Sequence, residues 1–206
     1  MKFRSKDGIM VDFELGTVFT HLKHYLYLTP KNVIMPSTSM RPMMSFIQDL
    51  GRSELVGIEI GVQTGQNAYN ILRTLPIKQL YLIDPYTQYV EHETFINIVP
   101  FVEKKAHQRL KQFTGKTTWI KATSEKAAET LTGPFDFVYI DGNHDYEFVK
   151  RDIELYYPKV KEGGVIGGDD FNGGYLSLIK AVFDYCEENK VMLHTAKSDW
   201  FIVKGE

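Results

Sequence analysis

Short apolar runs alternate with amphipathic stretches along most of this chain, and their periods separate strands from helices. Leu55 to Ile60, Leu80 to Ile83, Thr117 to Ile120, Phe137 to Ile140 and Val165-Ile166 are brief runs of strand length. Between them fall segments with apolar residues at helical spacing: Gln66 to Leu75, stopped by Pro76, then Glu91 to Phe113, with an interruption expected near Pro100. Ser124 to Leu131 and the charged run after Tyr146 complete this middle set. Ahead of the first strand, Met43, Met44, Phe46, Ile47 and Leu50 recur at helical spacing. Pro42 suits the first turn of that helix and Gly51 its end. Tyr175 to Asn189 carries Leu178, Ile179, Val182 and Phe183 on one side, and Val191 to Leu193 and Trp200 to Val203 close the chain as two strands.

Strands alternating with helices predict an α/β fold, a doubly wound and mostly parallel sheet of seven strands. The last two strands have only a short link and must pair antiparallel, because a parallel return needs a crossover. Residues 1 to about 37 are less regular. Asp7-Gly8 is a turn signal, Val18 to Leu28 fits a helix or a strand, and Pro30 and Pro36 punctuate the exit. Aromatics, with His21, His24, Tyr25 and Tyr27, crowd this arm, which reads either as a packing or dimer contact or as a lid over a pocket. The chain therefore divides into residues 1–50, an arm and a helix, and residues 51–206, the sheet domain. The arm is also where a homo-oligomer would form.

Composition adds mainly exclusions. With 43% hydrophobic and 24% charged residues and a net charge of −2, the chain has no overall attraction for nucleic acid or anionic membrane. Lys104, Lys105, Arg109, Lys111 and Lys116 cluster, which on a helix is a solvated face. The single Cys186 sits among apolar residues as a small buried thiol. No apolar run approaches membrane-spanning length, so a cytoplasmic protein is expected.

The chemistry lies at the ends of the predicted strands, where open α/β sheets bind their ligands. Glu59-Ile60-Gly61-Val62-Gln63-Thr64-Gly65 puts a glycine-bearing turn between the first strand and its helix. Gly61 permits a tight turn with backbone close to a ligand, and Gly65 opens the helix. The turn lacks the middle glycine of a pyrophosphate-binding fingerprint and the lysine of a phosphate-binding loop. Asp84, ending the second strand, stands where an acid accepts hydrogen bonds from ribose hydroxyls. A nucleoside without a pyrophosphate is the expected ligand. Asp141 and Asp169-Asp170 end successive strands, whose tips would be about 5 Å apart if adjacent. Three carboxylates so close raise one another's pKa unless a cation lies among them, and oxygen ligands suit Mg²⁺ first, with Mn²⁺ or Ca²⁺ as alternatives.

These residues resemble the class I S-adenosylmethionine-dependent methyltransferases over residues 50 to 206. Glu59-x-Gly61-x-x-x-Gly65 is similar to their first motif, Asp84 to their ribose-binding acid, and the closing hairpin to their final strands. The resemblance implies a Rossmann-like catalytic domain in which Glu59, Gly61, Gly65, Asp84, Ser124 and Asp141 bind S-adenosylmethionine. In it, Gly61 and Gly65 would lie against the methionine and ribose, and Ser124 would approach the adenine. A plain helix N-cap is the alternative reading of Ser124. Asp141-Gly142-Asn143-His144-Asp145-Tyr146, followed by Asp169-Asp170, is further similar to the metal-dependent small-molecule and macrolide-sugar O-methyltransferases. That resemblance implies Mg²⁺ on Asp141, Asp169 and Asp170, His144 as the base, and a small-molecule hydroxyl as acceptor. Asn143 departs from members with an acid there, which places more weight on His144, whose imidazole has an ordinary pKa near 6.5. His144 as a metal ligand, or as an orienter of Asp141, is the alternative. Tyr146 and Asn172 are candidate substrate contacts. A methyltransferase acting on nucleic acid or protein, a dehydrogenase, and a non-catalytic module on the same sheet are the competing readings.

Overall fold

The computed structural model describes residues 40–87 and 99–206 in full, and residues 2–4 and 10–12 by their backbone. Two short strands, β1 (Lys2–Arg4) and β2 (Met10–Asp12), pair antiparallel as a separate ribbon. Asp7-Gly8, the Val18 to Leu28 segment and the arm's histidines lie outside the described residues.

The second sheet has seven strands: β3 (Leu55–Ile60), β4 (Ile77–Ile83), β5 (Thr117–Ile120), β6 (Phe135–Ile140), β7 (Val160–Gly168), β8 (His194–Ala196) and β9 (Asp199–Val203). Their order is β5-β4-β3-β6-β7-β9-β8. The first five are parallel, and β9 runs antiparallel to both β7 and β8. The strand order reverses at β3, with β4 laid down on one side and β6 on the other, which opens a crevice at the carboxyl ends of β3 and β6.

The pleat sends alternate side chains to opposite faces, and each face has its own cover. Leu80, Leu82, Phe137, Tyr139, Val165 and Phe201 share one core with α1 (Pro42–Asp49), α2 (Gln66–Thr74) and α3 (Val99–Leu110). Ile58, Ile60, Val138, Ile140, Ile166 and Ile202 share the other with α4 (Ser124–Ala128), α5 (Tyr146–Tyr156) and α6 (Leu176–Asn189). Met43, Met44 and Ile47 of α1 are buried as core packing.

The structure shifts two boundaries. Of the Glu91 to Phe113 segment, residues 91–98 lie outside the described residues, and from Val99 the helix runs through Pro100 to Leu110, followed by a 3-10 turn at Lys111–Lys116. The penultimate strand is His194–Ala196, not Val191 to Leu193. Ala196 faces Asp199 in the ladder, so the tight turn at Lys197-Ser198, with Lys197 at φ 55°, sets which residues pair. The apolar Leu193 instead packs into the core beneath α6.

Candidate active site

The strand tips that carry the predicted residues are joined by backbone hydrogen bonds. Gly61 N donates to Ile83 O at 2.9 Å, Asp141 N to Ile60 O at 2.8 Å, and Asp84 N to Ile120 O at 3.2 Å. Each residue just beyond one strand thereby seals the last carbonyl of a neighbour. A cavity of about 490 Å³ opens over these tips, lined among others by Glu59, Gly61, Gln63, Asn67, Asp84, Tyr86, Asp141, His144, Asp170 and Tyr175. That size suits a small-molecule ligand.

On the glycine-turn side, Asp84 is almost wholly buried. Its Oδ2 accepts from Val62 N at 3.0 Å and Gln63 N at 2.9 Å, and its Oδ1 from Tyr86 N at 2.8 Å. Burial raises its pKa, while those N–H groups pull it back. The acid thus ties down the Gly61 turn while still facing the cavity. Gly61, at φ 84°, has a reason other than ligand approach: a Cβ there would stand 1.9 Å from the Asp141 carbonyl oxygen. The turn is tight because β6 ends against it. Gly65, at φ 71°, has a packing role of its own. It faces α3, where a Cβ would meet Leu110 and Ala106 at 3.2–3.4 Å, and the cavity is lined by its neighbours Thr64 and Gln66. Arg109 of α3 braces the same turn, with Nη1 donating to Thr64 Oγ1 at 3.0 Å and to Thr64 O.

Glu59 is fully buried and faces the cavity. Burial pushes its carboxyl well above the usual range, against a hydrogen bond from Asn67 Nδ2 to Oε1 at 3.0 Å. Glu59 Oε2 and Asn67 Oδ1 have no hydrogen-bond partner among the described residues, so two acceptors await a donor there. Asn67 carries no sequence signal beyond its place in the first turn of α2.

Ser124 is not a free polar group. Its Oγ donates to the buried Asp152 Oδ1, and its carbonyl accepts from Tyr156 OH at 2.7 Å. The N-cap is Thr123, whose Oγ1 accepts from Lys126 N at 3.3 Å. Ser124 borders a separate cleft of about 100 Å³ shared with Gly61, Gly142 and Asp152.

On the acid side, ligand atoms of Asp141, His144 and Asp170 lie within 4.8 Å of one another, an arrangement able to hold a metal ion. His144 Nε2 is 3.1 Å from Asp170 Oδ2, and its ring packs on Tyr175 with centroids 4.3 Å apart. The Asn143 side chain accepts from Asp145 N at 2.7 Å, an Asx turn that presents His144. Burial, then Asp169 and Asp170, raise the Asp141 carboxyl to about 7, with Arg41 and His144 opposing. Asp170 holds a left-handed φ of 62°, and its N donates to Asp169 Oδ1 at 2.6 Å.

Asp169 is the departure from the expected ligand set. It stands beside the cluster but pairs with Arg41, which also holds the fully buried Asp199. The gathered donors are two carboxylates and one imidazole, not three carboxylates. Arg41 was not foreseeable locally: it lies 158 positions before Asp199 and shows no motif. Tyr146 and Asn172, the candidate substrate contacts, have hydrogen-bond partners within the fold. Tyr146 OH donates to Asp184 Oδ2 at 2.7 Å on α6, and buried Asn172 accepts from Gly174 N at 2.9 Å to shape the loop behind Asp170.

Comparison with known proteins gives concordant results. Residues 58–171 match the family model described as a methyltransferase domain. An uncharacterized protein of Acanthamoeba polyphaga mimivirus is 30% identical over 122 residues, 58% of this chain and 53% of that protein. The chain thus spans about half the length of this curated relative. Among solved structures, the O-methyltransferase NovP is similar at TM-score 0.60 and 16% identity, over 82% of this chain and 80% of that one. A putative caffeoyl-CoA O-methyltransferase from Staphylococcus aureus gives 0.59 and 15% identity, over 93% and 100%. The MycE methyltransferase of the mycinamycin pathway, in complex with Mg and SAH, gives 0.54 and 19% identity, over 80% and 48%.

Proposed function

The chain belongs to the methyltransferase-domain family, on the class I fold, and from that premise we propose that it methylates a small-molecule hydroxyl beside a divalent cation. One observation carries the reading: Asp141, His144 and Asp170 converge on the same cavity as Glu59, the Gly61 turn and Asp84. The solved relatives lend support, since NovP is an O-methyltransferase and MycE holds Mg with SAH.

S-adenosylmethionine, when bound, supplies a methyl group made electrophilic by its sulfonium. The unpartnered Glu59 Oε2 and Asn67 Oδ1 fit its ammonium, and Asp84 keeps lone pairs for its ribose. A divalent cation would supply Lewis-acid polarisation of the acceptor hydroxyl, and Asp141 and Asp170 would hold it, since their oxygens converge within 4.8 Å and Asp141 is crowded by its neighbouring carboxylates. His144 takes the hydroxyl proton on its imidazole, and Asp170, 3.1 Å from Nε2, stabilises the imidazolium. Tyr175 covers one ring face against water. The remaining task of the protein is to align the acceptor oxygen with the methyl group.

The test is methyl transfer from labelled S-adenosylmethionine to a panel of hydroxyl compounds, in chelator and after Mg²⁺ or Mn²⁺ is restored. Activity is expected to vanish in chelator and return with the metal. Full activity in chelator rejects the cation. His144→Ala is expected to lose about 10²- to 10⁴-fold in kcat, and an unimpaired variant rejects the base.

A further inference from the structure

Arg41 stands among the acids, and its two carboxylate partners are not equivalent. Asp199 is fully buried; its Oδ1 accepts from Arg41 Nε at 2.8 Å and Nη2, with Tyr139 OH 3.4 Å away, and its Oδ2 from Met43 N at 3.0 Å. Separating Arg41 from Asp199 would strand a buried charge, which is the costliest way to break such a pair. Asp169 is different. Its side chain is 16% exposed, and its neighbour Asp170, which lines the cavity with Arg41, already belongs to the cation cluster. One guanidinium therefore spans a fully buried acid and a part-exposed one.

We propose that Arg41 is a positioning residue that holds Asp169 away from the cation cluster in the cation-free protein and yields it when a divalent cation enters, staying on Asp199 throughout. The inference rests on the cation reading above. Its physical content is a competition: an Asp169 oxygen has a guanidinium on one side and a cation on the other. Only one takes it at a time, so Arg41 sets how tightly the cation is held. Arginine suits the task because its planar fork reaches two carboxylates at once, which a lysine ammonium on a single stem does poorly.

The experiment uses the full chain and Mn²⁺ alone as the probe, with affinity from calorimetry and ligand environment from electron paramagnetic resonance. Arg41→Lys keeps a cation for Asp199 but cannot span both acids, so Mn²⁺ is expected to bind about tenfold tighter. Asp169→Asn is expected to bind about tenfold weaker, and Arg41→Lys should have no further effect in that background. Loss of coupling is what a merely structural Arg41 would not give. Should Arg41→Lys fail to fold, Arg41→Gln with Asp199→Asn removes both buried charges together and is expected to tighten Mn²⁺ in the same way. Unchanged Mn²⁺ affinity in the folded Arg41 variants overturns the exchange and leaves the cation site standing. Weaker S-adenosylmethionine binding with Mn²⁺ affinity unmoved also overturns it, making Arg41 a contact for the methionine carboxylate. No saturable Mn²⁺ binding in the unaltered protein removes the cation reading itself, and this inference with it.

Discussion

Asp84 and Asp141 are both aspartates placed just past a parallel strand at the same edge of one sheet, yet their surroundings are opposite. Asp84 accepts three backbone N–H groups, and the turn that supplies them is the turn it stabilises. Asp141 faces Asp169 and Asp170, and its carboxyl is driven up to about 7 by burial and those neighbours. The first acid is largely satisfied by its own chain. The second is not, and its deficit is what a ligand can repair. Position in the fold brings an acid to the site, whereas the donors around it decide whether it serves as scaffold or as reagent.

Replacing each acid by its amide breaks the comparison most directly. Asp141→Asn is expected to lower methyl transfer by about 10³-fold, the scale of a lost cation ligand, while raising the melting temperature of the cation-free protein at pH 8. A variant of unchanged rate, or one that melts lower, would make Asp141 another scaffold acid. Gly61→Ala attacks the contact between the two sides. Its Cβ has no room beside the Asp141 carbonyl, and urea unfolding should show a loss of about 3 kcal/mol or more. Asp84→Asn faces a backbone N–H with an NH₂ group. A loss of about 2 kcal/mol is expected, with S-adenosylmethionine binding about tenfold weaker by calorimetry.

The smallest effect concerns Asp152, which is buried with, among the described residues, only the Ser124 hydroxyl as donor, and whose carboxyl rises to about 6. Its folded pKa exceeds its unfolded value, so the stability it contributes is complete below about pH 4 and is lost as pH climbs through 6. Asp152→Asn is therefore expected to unfold about 1–2 kcal/mol harder at pH 7.5 and to flatten the profile between pH 4 and 6. An unchanged profile would show that one hydroxyl suffices for a buried carboxylate.

Much of this arrangement was legible in the sequence because its signals are local. Leu55–Ile60 and Thr117–Ile120 emerge with the boundaries their apolar runs predict, and Asp84, Asp141 and Asp170 reach the cavity because each follows a parallel strand. What escaped was long-range or was set by geometry finer than pattern. Nothing near Arg41 announces that α1 will carry it to Asp169 and Asp199. Gly65 reads as a ligand glycine in its motif, but α3 packs against it. The register of the last hairpin follows the turn at Lys197-Ser198, while the apolar residues that suggested a strand at Val191 to Leu193 serve the layer below.

The 1.9 Å that a side chain at Gly61 would leave to the Asp141 carbonyl has a thermodynamic corollary. Two turns with no slack between them do not relax independently, and occupancy of one cannot be indifferent to occupancy of the other. For the cation proposed above, whatever factor a loaded nucleoside imposes on its dissociation constant the cation must impose in return, so titrations run in either order would close the same cycle.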